Sequence, residues 1–165
     1  MESVATASYL PPLAAPHERD AVSRELAALL HDLIALSLIG KQLHWAVYGP
    51  LFRPLHQQLD ELTASWRELA DTVAERAVAL GVVPDGQAQA VVSGAQVTPV
   101  AHGPIEDHVV VRELIRRVAD VSERVRARLD QVGGVDLISQ DVLIAVVREL
   151  EKQQWMLRVQ LDGRA

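Results

Sequence analysis

Residues 41–60 read KQLHWAVYGPLFRPLHQQLD, and the Tyr48-Gly49-Pro50 break inside them separates two long apolar-periodic stretches. Upstream, Leu26, Leu29, Leu30, Leu33, Ile34, Leu36 and Leu43 recur mostly at spacings of three and four, which predicts an amphipathic helix from about His17 to Val47. Downstream, a second helix is expected from about Leu51 to Leu80. Pro54 falls in its first turn, where a missing N–H is tolerated, and Gly81 supplies the left-handed stop. So short a turn makes the two helices antiparallel neighbours.

The rest of the chain repeats that plan. Val82–Gly103 carries Pro84, Asp85-Gly86, Gly94, Thr98-Pro99 and Gly103, which predicts a crossover with one short helix near Gln87–Val92. A third helix is expected over Pro104–Val132, opened by its proline and ended by Gly133-Gly134, and a fourth over Ser139–Asp162 with Ser139 as cap. The expected fold is all-α: two helical hairpins joined by a long crossover into one four-helix bundle spanning residues 17–165. Residues 1–16, with three prolines and no helical periodicity, read as an extended N-terminal arm.

Composition narrows the functional classes. Of 165 residues 49% are hydrophobic but only 4% aromatic, so the core is aliphatic, and the absence of cysteine removes thiolate metal sites and thiol nucleophiles. A net charge of −6 disfavours a broad phosphate-binding face and favours cations as partners. Asp32 and Ser37 interrupt the most apolar run before it reaches the roughly 18 residues of a membrane span. The start, Met1-Glu2-Ser3-Val4, lacks a secretory leader's basic and apolar regions, and a cytoplasmic protein without membrane attachment is expected.

The residues able to do chemistry gather around the first turn: His44, then His56, Asp60, Asp71 and Glu75 on the second helix. Imidazole with carboxylate suits iron, manganese or zinc. At about 100° per residue the last four share a stripe roughly 100° wide, yet Asp71 lies about 16 Å beyond Asp60 along the axis, far outside coordination distance. Antiparallel pairing with the same helix of a second subunit removes the difficulty. A two-fold axis sets the His56 and Asp60 end of one copy against the Asp71 and Glu75 end of the other, with Thr63, Ala64 and Arg67 at the seam. On spacing alone, the carboxylates also fit a solvated helix face and the histidines ordinary packing.

The run Lys41-Gln42-Leu43-His44-Trp45, then Gly49-Pro50, Phe52, Leu55-His56, Asp60 and Asp71-Thr72-Val73-Ala74-Glu75-Arg76, resembles the signature of the Dps family, the miniature ferritins. A second block, Ser139-Gln140-Asp141-Val142-Leu143 onward to Glu151-Lys152 and Trp155-Met156-Leu157, is similar to that family's last helix. The resemblance implies a ferritin-like four-helix bundle, a hollow homododecamer, and iron sites at its two-fold interfaces, where one or two ions per site are oxidised from Fe2+ to Fe3+, preferably by hydrogen peroxide. Carried over by position, His44, His56 and Asp60 come from one subunit and Asp71 and Glu75 from its partner.

Around those five, the resemblance implies that Trp45 either traps stray oxidising equivalents or packs at the interface. Lys41, one turn before His44, is a candidate salt-bridge partner for a site carboxylate such as Asp71. Asp141 matches a position lining the three-fold pore by which ferrous ions arrive; the acidic residue often found four before it is Leu137 here, and Asp136 is the candidate to compensate. The Glu-x-x-His pair of ordinary di-iron bundles is missing, since Gln154 follows Glu151 by three. His17, His31, His102 and His108 lack partners at ligand spacing, and Trp155 and Met156 read as core or interface packing.

The resulting reading is a ferroxidase and iron store of the bacterial cytoplasm or nucleoid. Its rivals are a DNA-compacting protection protein with little ferroxidase activity and a structural shell binding other metals. No Lys or Arg occurs in residues 1–16 and no basic run follows Asp162, so DNA binding at neutral pH is not expected. Metal-free protein should leave plasmid DNA unshifted in a gel at about pH 7.5 and about 0.15 M salt, where exposed charges more than about 8 Å apart are screened. A retarded band under those conditions would contradict the charge argument.

Overall fold

The computed structural model describes residues 15–161. Apart from Ala15 and Pro16, the expected arm lies outside them. Four long helices form the bundle: α1 (Pro16–Ala46), α2 (Phe52–Ala79), α4 (Asp107–Arg126) and α6 (Leu137–Val159). Short α3 (Ala88–Gly94) sits in the crossover, and α5 (Leu129–Gly133) links α4 to α6. The main packing is α1 on α2 and α4 on α6, the two expected hairpins.

α1 is the central element. By length and composition it is apolar enough to cross a membrane, although Asp32 and Ser37 interrupt it. Its apolar side is the bundle core, where Leu26, Leu29, Leu33, Leu36 and Leu43 are almost wholly buried. The polar residues that interrupt the run are satisfied inside the fold. Ser37 Oγ donates to the Ile34 carbonyl at 2.8 Å, and Asp32 accepts from Gln96 N at 2.7 Å and Arg124 Nε at 3.0 Å. The bundle interior also holds Trp66, whose Nε1 donates to Gln153 Oε1 at 2.8 Å. That pair fills space with one hydrogen bond and no metal ligand.

Besides a fourth helix that ends at Val159 rather than Asp162, three boundaries differ from the sequence expectation. The third helix does not open at Pro104: Ile105–Glu106 form a strand, β2, paired in parallel with β1 (Val47–Tyr48), and the helix starts only at Asp107. It also breaks at Ala127–Arg128 before α5, so the stretch to Val132 is two helices. Lastly, Ser139 is not the cap of α6. Asp136 is, its carboxylate accepting from the backbone N–H of Ile138 and of Ser139, while the Ser139 hydroxyl donates to it as well.

Asp136 does more than cap. Arg76 reaches across from the last turns of α2, with Nη2 2.6 Å from Asp136 Oδ2 and Nε donating to Ser139 Oγ at 2.9 Å. Burial pushes the Asp136 carboxyl up, but the hydrogen bonds from Ser139 and Arg76 outweigh it and hold the group below the ordinary carboxylate range. A depressed folded-state pKa contributes stability above the unfolded value and loses it as pH falls through the folded value. Asp136→Ala should therefore cost about 3 kcal/mol at neutral pH, a cap plus a broken part-buried pair. That deficit should shrink below about pH 4. Paired thermal melts of wild type and variant across that range measure it; a deficit that does not change with pH would separate the cost from the carboxylate's charge.

Candidate metal centre

The turn between α1 and α2 brings His44 and His56 face to face. Gly49 has φ +126°, and a Cβ there would lie 2.7 Å from Asp107 Oδ2, so the turn requires glycine. The same Asp107 oxygen accepts from Leu51 N at 2.7 Å, anchoring the start of α2 to the start of α4. Under that constraint the two rings stack with centroids 3.5 Å apart and planes 22° from parallel.

Their hydrogen bonds are reciprocal. His44 Nδ1 lies 2.9 Å from the His56 carbonyl, and His56 Nδ1 lies 2.9 Å from the His44 carbonyl. A carbonyl only accepts, so each ring donates from Nδ1, and in the neutral ring the Nε2 lone pair is left for a ligand. This arrangement fixes ring plane and tautomer together, as backbone carbonyls behind metal-binding histidines commonly do.

Asp60, one turn after His56, is exposed, with Oδ1 3.4 Å from His44 Nδ1 and 2.6 Å from Lys41 Nζ. The Lys41 hydrogen bond is the main reason its carboxyl is held below the ordinary range, with His44 and His56 adding to the effect against partial desolvation. Lys41 thus pairs with Asp60 of its own chain rather than with Asp71. Its ammonium also stands 5.8 Å from the centre of the Trp45 ring, and that ring is 70% exposed.

Asp71 and Glu75 face solvent on the same helix, about 16 and 22 Å along the axis from Asp60. Arg76, turned inward to Asp136, fixes the rotation of α2 that presents Glu75 outward. Among the described residues no three His, Asp or Glu side chains are arranged to hold a metal ion. The rings stack on each other and Asp60 is turned to Lys41. Within one chain, His44, His56 and Asp60 therefore stay separated along the α2 axis from Asp71 and Glu75.

Other expectations fare differently. Ala64 and Arg67 are exposed on that face, but Thr63 is not part of a seam: it is buried against α1, where Gly40 lets the helices touch. Asp141 is exposed at the start of α6, whereas Asp136 is buried and occupied by the cap and by Arg76. Trp155 is 62% exposed and so not core within one chain; Trp66 is the core tryptophan. His31 Nε2 donates to the Asp85 carbonyl at 2.8 Å and packs against Gly94, a structural role. Sequence reasoning missed Asp107, whose only signal was an acidic residue near a helix start.

This bundle of two helical hairpins joined by a crossover helix defines a ferritin-like protein, and a family model of the ferritin-like domain matches residues 24–164. The chain is 33% identical over 154 residues to the DNA protection during starvation protein of Mycolicibacterium smegmatis, covering 90% of this chain and 83% of the relative. It is 36% identical over 144 residues to the fine tangled pili major subunit of Haemophilus ducreyi, covering 86% and 75%. Among solved structures, DpsA14 from Streptomyces coelicolor superposes with TM-score 0.88 at 32% identity, over 93% of this chain and 92% of that one. The tetragonal form of Mycobacterium smegmatis Dps gives TM-score 0.87 at 30% identity, over 98% and 94%. The chain belongs to the Dps family of ferritin-like proteins.

One substitution tests how the site is held. A Cβ on Gly40 would lie 2.6 Å from Thr63 Oγ1 and 2.7 Å from the Trp66 ring. Gly40→Ala should force α1 and α2 apart at a cost of about 1–3 kcal/mol and loosen the histidine pair one turn away. A lowered melting temperature together with broadened His44 and His56 ring signals in NMR would show both effects; unchanged ring signals would mean that the turn alone holds them.

Proposed function

We propose that this protein binds Fe(II) between subunits, oxidises it, and stores the ferric product inside a closed shell of twelve chains, limiting oxidative damage in the bacterial cytoplasm. The supporting observation is the division of ligands: His44, His56 and Asp60 are poised around one turn, while Asp71 and Glu75 are displaced along the same open face. Antiparallel apposition of two such faces about a two-fold axis gives each dimer two complete sites, each with both imidazoles and all three carboxylates. A relative from Microbacterium arborescens, 32% identical with TM-score 0.84, has a structure described as a high iron form.

In this reading the two imidazoles bind Fe(II) through Nε2, and Asp60 gives up Lys41 to the incoming cation. Asp71 and Glu75 supply negative charge that favours the ferric product. One or two Fe(II) occupy each site; two ions side by side deliver the two electrons that reduce hydrogen peroxide to water, which avoids its one-electron cleavage to hydroxyl radical. Asp141 lies on the path by which ferrous ions arrive, and residues 17–165 form the shell-building domain with 1–16 as its arm.

Anaerobic Fe(II) titration followed by a peroxide pulse should show saturable binding near one or two ions per chain, then rapid oxidation and an iron-filled particle of unchanged diameter. Slow oxidation at the rate of free Fe(II) would defeat the proposal. The shared site has a sharper test in mixed assemblies. A His56→Ala/Asp60→Ala chain and an Asp71→Ala/Glu75→Ala chain should each be inactive alone, while dimers of one with the other retain one whole site. Correctly assembled mixtures with no recovered fast oxidation would refute the intersubunit assignment.

A further inference from the structure

Tyr48 takes no part in the site above, yet its surroundings are organised. Its hydroxyl donates to Glu106 Oε1 at 3.3 Å, and the other Glu106 oxygen lies 3.3 Å from His108 Nε2. The β1–β2 ladder sets Tyr48 in register with Glu106, so backbone pairing places phenol and carboxylate together. Partial desolvation, then the Glu106 charge, pushes the phenol pKa up; the hydroxyl keeps its proton and has an acceptor beside it.

On the other side, Tyr48 and Trp45 line one cleft of about 400 Å³. Three residues apart, their Cα atoms can be no more than about 11 Å from each other. Trp45 directly follows His44, and Lys41 Nζ stands 5.8 Å from its ring centre. A cation near the indole face stabilises the neutral ring and disfavours an electron-deficient one, so a positive hole placed on Trp45 is driven onward. A phenol gives up an electron readily near neutral pH only if its proton leaves too, which requires a base already in hydrogen-bond contact.

We propose that Tyr48 and Glu106 form a proton-coupled electron donor that refills Trp45 after a one-electron oxidant has taken an electron from it. The steps balance. The oxidant, hydroxyl radical or its equivalent escaping from Fe(II) and peroxide, gains one electron from the Trp45 indole; Tyr48 returns that electron to Trp45 while its O–H proton passes to Glu106. What remains is a neutral phenoxyl radical at the surface, to which a small thiol or ascorbate in solution returns a hydrogen atom. The source of the oxidant rests on the iron reading of His44; the transfer itself does not.

The test therefore uses metal-free assembled protein. Azide radicals made by pulse radiolysis oxidise indoles first, and Tyr9→Phe leaves Tyr48 as the sole tyrosine, since the chain has two. Indole-radical absorbance should decay as phenoxyl absorbance grows, at a rate independent of protein concentration. Trp45→Phe should remove that phase, and Glu106→Gln, which keeps a hydrogen-bond acceptor but a far weaker base, should slow it at least about tenfold. Absent phenoxyl growth, growth undiminished in Trp45→Phe, or an unchanged rate in Glu106→Gln would each overturn the proposal. With Fe(II) and peroxide, Tyr48→Phe should leave the oxidation rate unchanged and increase oxidised Trp45 in peptide mass spectra. A failure of Fe(II) oxidation in wild type would instead count against the iron reading and leave the radiolysis result standing.

Discussion

A buried carboxylate holds the two hairpins in register. Asp107, 2% exposed, is the first residue of α4, and its acceptance from Leu51 N fixes where α2 begins relative to the second hairpin. A hydrogen bond to a charged group inside the fold contributes more than a surface contact of the same kind. Around it sit a turn that tolerates only glycine at position 49, the two-residue parallel ladder, and the facing imidazoles. The geometry of His44 against His56 thus depends on a third helix as well as on the two that carry the rings.

The crossover is fixed by similar means. An irregular segment crossing a helical bundle leaves many backbone groups without partners of their own kind, and these must be met by side chains or water. Here the almost wholly buried Arg117 donates to the carbonyls of Thr98 and Pro99, Asp32 accepts from Gln96 N, and His31 reaches the Asp85 carbonyl. Arg124 closes the set by pairing with Asp32 at 3.0 Å. Polar residues that look misplaced on apolar helices are the ones that bind the long connection to the bundle.

What the sequence made legible followed the strength of local signals. Periodic leucines and the Gly49-Pro50 and Gly81 stops place α1 and α2 to within a residue or so. The expected crossover helix, Gln87–Val92, starts one residue and ends two residues before the observed Ala88–Gly94, because Pro84 and Gly86 confine it from one side only. The β1–β2 ladder was invisible, since two residues per strand carry no alternation and the pairing joins positions 58 apart. Ser139 looked like a cap by type, yet Asp136, three residues earlier, outcompetes it with a charged acceptor and an arginine behind it. Thr63 was placed on the seam by its small size, whereas the close approach at Gly40 draws it inward. Lys41, one turn before His44, is expected to pair with a site carboxylate, and within the chain that carboxylate is Asp60.

The Trp66–Gln153 pair has a consequence for how this protein comes into being. With the bundle interior closed by an indole and an amide, the chain reaches its native state without recruiting an ion, unlike small metalloproteins whose binding energy is their folding energy. Maturation and chemistry are then decoupled in time. On the proposed two-fold site, a newly made chain would fold before it is chemically competent, and competence would arise when two copies bring their α2 faces together. Under that proposal, mass action would tie the completed site to protein concentration.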